Sequence, residues 1–223
     1  MQPRLTDINR REVLQYLQYR GGAIPDDIRA DLERCCDLIL RTARPRAVWR
    51  VFDVLPGSRL AGTDFRPEGQ DMADLLSRSR RFIMFAATLG SEVEALVRRS
   101  QLTAPGDAVI LDCCGSAAIE NVCDNLCDDL AAAFAPLYLT DRFSPGYGDF
   151  PFTQQPDFCR VLDVGKRIGV SLTAGGLMIP QKSVTAVLGV CDTPQEKRPG
   201  GCICCNLFET CMYRKDGVTC AGT

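Results

Sequence analysis

The chain has 223 residues, 46% of them hydrophobic, which is enough for one substantial core and fits one domain with an appendage better than two equal domains. Its formal net charge of −2 gives no general attraction to phosphate backbones, so we expect no nucleic-acid partner. It contains no histidine, which excludes Ser-His and Cys-His catalytic pairs and zinc sites that use imidazole.

The hydrophobic pattern predicts a mixture of helices and strands without a regular alternation of the two. The predicted helices, in chain order, are residues 9–19, a helix from Pro25, a short helix at Met72, a helix after Ser91, one ending at Phe134 and one through Phe158 and Ile168. The predicted strands are residues 47–54, 81–88 and 183–190. Because strand-helix alternations are too few for a doubly wound sheet, the pattern indicates a mixed α/β fold.

Residues 142–148, Arg-Phe-Ser-Pro-Gly-Tyr-Gly, combine the residue types of a ligand-binding turn. Arg142 can hold a carboxylate through two hydrogen bonds, while Gly146 and Gly148 allow the main chain to lie against a ligand. Tyr147 adds an aromatic face with a hydroxyl group. The set suits a ligand that carries an amino-acid group. Without the segments around it, the simpler interpretation would be a Pro-Gly turn with a surface arginine.

The pattern Arg-x-x-x-Gly-Tyr, followed by Leu172-Thr173 and a hydrophobic strand, resembles the S-adenosylmethionine-binding activation domain of cobalamin-dependent methionine synthase in its free-standing form. The resemblance extends over roughly residues 6–190 and includes Phe-Ala-Ala-Thr-Leu-Gly at 85–90 and Gly-Ser-Ala-Ala-Ile-Glu at 115–120. It implies an α+β fold over residues 1–190, with a mixed or antiparallel twisted sheet and flanking helices. In the full-length enzymes Pro-Ala-Cys-Pro usually follows the tyrosine, whereas Gly-Asp-Phe-Pro follows it here, as in the separate-chain version.

The resemblance also implies a function. The chain would reactivate methionine synthase or a related corrinoid methyltransferase, by reductive methylation of cob(II)alamin on a partner protein, with S-adenosylmethionine as methyl donor and a separate electron donor. The residues implied to contact S-adenosylmethionine are Arg142, Ser144, Gly146, Tyr147 and Glu120, and Tyr147 would also face the corrin. A glutamate on an amphipathic helix is as often part of a solvated face, so both interpretations of Glu120 stay open. The partner must carry the cobalamin, because this chain has no histidine to bind cobalt.

The residues that follow Tyr147 differ from those in the full-length enzymes, and this difference leaves a second function open. With Gly148, Asp149 and Phe150 in these positions, the chain could be a non-catalytic module that binds or regulates a corrinoid protein. Observing whether methyl transfer accompanies partner binding distinguishes the two functions.

Twelve of the thirteen cysteines fall into two groups. One group lies in a Cys-rich tail, residues 191–223, where Cys191, Cys202, Cys205 and Cys211 would supply four thiolates for zinc or an iron-sulfur cluster. Spacing does not distinguish zinc from iron, so a redox cluster and a zinc-stapled or flexible terminus stay open as equal alternatives. The other group lies in predicted helices, where cysteine most often packs as a small hydrophobic side chain: Cys35, Cys36, Cys113, Cys114, Cys123 and Cys127.

The sequence shows no apolar run of membrane-spanning length, and its first residues lack the apolar centre of a signal peptide. We therefore expect a cytoplasmic protein that has no membrane partner and keeps its thiols mostly reduced.

Overall fold

A computed structural model describes residues 2–19 and 22–195. The helices are α1 (Arg10–Tyr16), α2 (Asp26–Thr42), α3 (Gln70–Ser77), α4 (Ser91–Thr103), α5 (Pro105–Phe134), α6 (Gln155–Leu162) and α7 (Val164–Ile168), with a 3-10 helix at Phe152–Gln154. The strands are β1 (Arg46–Leu55), β2 (Arg59–Leu60), β3 (Arg81–Thr88), β4 (Tyr138–Leu139), β5 (Ser171–Leu172), β6 (Met178–Ile179) and β7 (Ser183–Cys191).

Five of the strands form an antiparallel sheet in the order β2-β1-β3-β7-β4, and β5 and β6 form a separate antiparallel pair. The predicted fold class, a mixed α/β fold with an antiparallel sheet and flanking helices, is confirmed. Strands β3 and β7 lie inside the sheet, and nearly all of their residues are buried. Continuous burial explains why β3 is an apolar run instead of an alternating pattern. The edge strands β2 and β4 have two residues each, too few to show any periodicity in the sequence.

Helix α5 is 30 residues long and begins at Pro105. The sequence predicts this helix from an apolar stripe between Ile119 and Ala133 and starts it no earlier than Asp107. Proline suits the first turn of a helix because its missing N–H has no partner there in any case. The predicted apolar stripe is buried at Ile119, Val122, Leu126 and other positions along the helix, but Ala133 at its end is exposed.

Two predicted helices differ from the structure, one in where it ends and one in being broken in two. Helix α1 stops at Tyr16, and Gln18 follows with a φ of 56°. The helix predicted through Phe158 and Ile168 is two helices, because Asp163 between them has a φ of 53°. Aspartate is one of the few residues with a side chain that tolerates this left-handed backbone, so the break leaves no strong signal in the hydrophobic pattern.

The chain divides into two compact units. The first comprises Met1–Val48, Ala86–Ala132 and Asp163–Val184, and the second comprises Trp49–Phe85, Ala133–Leu162 and Thr185–Thr223. The separate tail over residues 191–223 stays a prediction, since residues 196–223 lie outside the described part of the chain. Among the described residues, no helix has the length and apolar character that crossing a membrane requires.

Candidate functional site

The segment of residues 142–148 is anchored in the second unit by backbone pairing with β7. Phe143 and Val187 exchange two hydrogen bonds, with N···O distances of 3.1 and 2.8 Å. Two further bonds close the turn beyond Phe143: Gly146 N–H donates to the Phe150 carbonyl at 2.8 Å, and Phe150 N–H donates to the Tyr147 carbonyl at 3.0 Å. The rings of Phe143 and Phe150 stack beneath the turn, with centroids 6.1 Å apart and planes 11° apart. The turn is therefore held in one conformation by its own backbone and by a buried aromatic pair.

This turn brings four of the predicted S-adenosylmethionine-binding residues together. Arg142 is half-buried and its Nη1 atom is fully buried, whereas Tyr147 is 67% exposed. Gly146 is exposed and has a φ of 94°, a conformation that side chains rarely adopt. Ser144 is half-buried, and its carbonyl accepts the N–H of Tyr147 at 3.1 Å. That main-chain group of Ser144 thus shapes the turn. The assignment of these four residues to S-adenosylmethionine binding stays a prediction.

The residues that depart from the full-length enzymes, Gly148, Asp149 and Phe150, have structural roles. The carboxylate of Asp149 accepts the N–H groups of Gln70 at 2.6 Å and Asp71 at 3.1 Å. It thereby caps α3, whose own N-cap residue, Gly69, has no side chain to do so. Any Cβ added at Gly148 would collide with the Asp71 carboxylate. Asp149 and Gly148 therefore tie the turn to α3.

We expect Asp149→Ala to lower the free energy of unfolding by about 1 kcal/mol, the typical cost of losing a helix N-cap. Urea unfolding followed by circular dichroism measures the change. Asp149→Asn is the matched control, because its single side-chain oxygen can still accept one of the two N–H groups, so it should cost less than alanine. Equal losses in the two variants, or no loss in either, would show that the cap does not stabilise α3.

Glu120, the fifth predicted residue, lies on α5 in the first unit and is half-buried. Ser116, one turn before it on the helix, accepts a hydrogen bond from Lys182 Nζ at 2.9 Å. The same ammonium group lies 2.8 Å from Asp112 Oδ1, and the Lys182 side chain is only 13% exposed. The assignment of Glu120 as a ligand-binding residue stays a prediction.

Sequence reasoning did not identify Lys182 as a notable residue. Its side chain lies along α5 at Gly115, where an added Cβ would be 3.1 Å from Lys182 Cε. The signal available in the sequence was the small pair Gly115-Ser116, which leaves room on the helix for a long side chain. The sequence alone does not relate that pair to Lys182, which lies 66 residues after Ser116.

The first unit also contains an open cavity of about 450 Å³ at the start of α4. Its lining includes Glu94, Arg98 and Ile179 and none of the predicted ligand-binding residues. The Glu94 carboxylate already forms a salt bridge with Arg98, with an N···O distance of 2.9 Å, and accepts the backbone N–H of Gln181 at 3.2 Å. The geometry assigns no ligand to this cavity.

Of the four predicted metal ligands, only Cys191 is described. It ends β7, is fully buried, and its Sγ lies 3.7 Å from Ser79 Oγ. Cys202, Cys205 and Cys211 lie outside the described residues. Within the described ranges no group of three or more Cys, Asp or Glu side chains is arranged to hold a metal ion, so the zinc or iron-sulfur site stays a prediction.

The predicted burial of the helical cysteines is confirmed for five of them, Cys35, Cys36, Cys113, Cys114 and Cys123, while Cys127 is partly exposed.

Comparison with known proteins identifies a solved structure with a similar fold. No family model and no curated protein matches the sequence. Among solved structures, the crystal structure of the MetH reactivation domain bound to AdoHcy is similar to this chain, with a TM-score of 0.60 and 15% sequence identity. The similarity covers 97% of this chain and 86% of that chain. The chain therefore has the fold of a reactivation domain, extended over nearly its whole length.

Proposed function

We propose that this chain is a reactivation component for a cobalamin-dependent methionine synthase or a related corrinoid methyltransferase. In this role it binds S-adenosylmethionine and presents it to a corrinoid protein that carries inactive cob(II)alamin. The observation that carries the proposal is the shared fold, over 97% of the chain, with a MetH reactivation domain bound to AdoHcy. The turn at residues 142–148 adds a binding segment of matching chemistry.

The side chains of the turn suit the ligand. S-adenosylmethionine carries a carboxylate, an ammonium group, ribose hydroxyls and an adenine ring. The half-buried guanidinium of Arg142 can hold the carboxylate through two parallel hydrogen bonds, which are stronger where water is partly excluded. The ring of Tyr147, 67% exposed, offers a flat surface to a second planar group, either the ligand's or the partner's corrin.

This chain would contribute to catalysis by positioning the methyl donor. S-adenosylmethionine supplies a methyl group on a good leaving group, and the partner's corrinoid accepts that methyl group after receiving one electron from a separate donor. Arg142 would fix one end of the methyl donor, and the closed turn would hold that arginine in place. No side chain has to remove a proton, which agrees with a chain that contains no histidine.

A reconstituted methylation assay tests the proposal. The chain is mixed with a cob(II)alamin-loaded methionine synthase fragment that lacks its own activation domain, a reductant and S-adenosylmethionine. We expect the absorption spectrum of methylcobalamin to appear, and to be absent when either this chain or S-adenosylmethionine is omitted. S-adenosylhomocysteine, which has no methyl group to transfer, should inhibit the reaction when added in excess.

The same assay separates the alternative function. If the chain binds the corrinoid protein in a pull-down but the spectrum does not change, the chain is a non-catalytic binding or regulatory module. If it neither binds nor changes the spectrum with any corrinoid partner tested, both functions are wrong.

A further inference from the structure

We propose that Cys36 and Cys114 form a redox modification site, in which a small hydroperoxide oxidises the two thiols to a disulfide that joins α2 to α5. The inference does not depend on the proposed function. It concerns two cysteines of the first unit that the sequence pattern alone indicates to be ordinary core residues.

The two sulfur atoms are in direct contact. Cys36 Sγ and Cys114 Sγ lie 3.5 Å apart, on helices whose paired positions are 78 residues apart in the sequence. A disulfide has an S–S distance of about 2.0 Å, so forming it requires the atoms to approach by about 1.5 Å through rotation of the two side chains. Both residues are fully buried. Bulky thiol reagents therefore cannot reach these two thiols in the folded chain. Hydrogen peroxide is small and uncharged, so it is the oxidant that suits the site.

The two thiols are not equivalent. The hydrogen bond between them lowers the pKa of Cys36, and the nearby positive charge of Arg10 acts in the same direction, against the effect of burial. The same hydrogen bond raises the pKa of Cys114, which makes Cys36 the more acidic of the two thiols and the one that we assign as the nucleophile. Arg10 is held over this region by bonds to Glu33 at 2.8 Å and Asp7 at 2.6 Å. Burial raises the pKa of the adjacent thiol, Cys35, to about 11, which makes Cys35 a poor competitor.

The oxidation balances in two steps. The Cys36 thiolate attacks one oxygen of hydrogen peroxide; an S–O bond forms, the O–O bond breaks, and the departing hydroxide takes up the proton that Cys36 lost on ionising, which gives a sulfenic acid and one water molecule. The Cys114 sulfur then attacks the Cys36 sulfur; the S–S bond forms, the S–O bond breaks, and the departing hydroxide takes the Cys114 proton as water. The two thiols lose two electrons, and the peroxide is reduced to two molecules of water.

The disulfide would cross-link a long loop and so stabilise the first unit. Full-length protein is treated with one equivalent of hydrogen peroxide, unfolded in an alkylating reagent, digested and analysed by mass spectrometry. We expect a cross-linked pair of peptides that contain Cys36 and Cys114, and a melting temperature at least about 5 °C higher than that of the reduced protein. Dithiothreitol should reverse both changes.

Three single variants make the test specific. Cys36→Ala should remove the cross-link and the rise in melting temperature. Cys35→Ala, a change at an equally buried neighbour on the same helix, should retain both. Cys114→Ala should leave Cys36 as a sulfenic acid that dimedone traps. If peptide mapping of the wild-type chain instead finds Cys36 and Cys114 alkylated, or separately oxidised, after peroxide treatment, the proposed site is wrong whether or not the variants fold.

Discussion

Replacing Phe150 with alanine is expected to lower the free energy of unfolding by about 3 to 5 kcal/mol, the usual cost of removing a buried phenylalanine ring. The side chain is 1% exposed and stacks on Phe143, with ring centroids 6.1 Å apart. Its loss would leave a cavity beneath the turn at residues 142–148. Urea or thermal unfolding of purified protein measures the change.

Phe152→Ala is the matched control for this prediction. Phe152 lies two residues further on and is 41% exposed. Its replacement should lower the free energy of unfolding by no more than about 1 kcal/mol. Similar losses in the two variants would mean that Phe150 does not pack as the structure describes. A large loss at Phe150 alone would show that this departure from the Pro-Ala-Cys-Pro pattern is a packing residue, which stabilises the turn that carries Arg142.

Replacing Arg142 with alanine is expected to weaken S-adenosylmethionine binding by about 1.5 to 3 kcal/mol, or roughly 10-fold to 150-fold, the range for a hydrogen bond to a charged group. The half-buried guanidinium would otherwise hold the ligand carboxylate bidentately. Isothermal titration calorimetry measures the affinity directly, and S-adenosylhomocysteine should show a similar dependence because it carries the same carboxylate.

Two variants control for charge and geometry. Arg160→Ala removes an exposed arginine of the same unit, which pairs with Asp157 at 3.2 Å and Asp64 at 3.4 Å, and it should leave binding unchanged. Arg142→Lys keeps the charge but not the planar pair of donors, so it should recover only part of the affinity. Saturable heat that Arg142→Ala does not weaken would remove this residue from the site. No heat with wild-type protein at millimolar ligand would reject S-adenosylmethionine binding itself.

The sequence alone predicted those features that depend on residues close together in the chain. The apolar run 81–88 predicted β3 with its observed bounds, because a strand buried on both faces needs no alternation. The stripe of apolar residues through Val122 and Leu126 predicted most of α5. The cluster of Arg142, Gly146 and Tyr147 also needed no tertiary information, since a turn places residues a few positions apart side by side.

Only the tertiary structure decided which distant residues meet. Strands of two residues carry no periodicity, so β2 and β4 exist because β1 and β7 offer them backbone partners. Asp149 caps α3 from 79 positions away, and Cys36 meets Cys114 across 78 positions. In the sequence each of these residues is an ordinary loop aspartate or core cysteine. Its role follows from packing, which brings together groups whose separation along the chain leaves no local pattern to read.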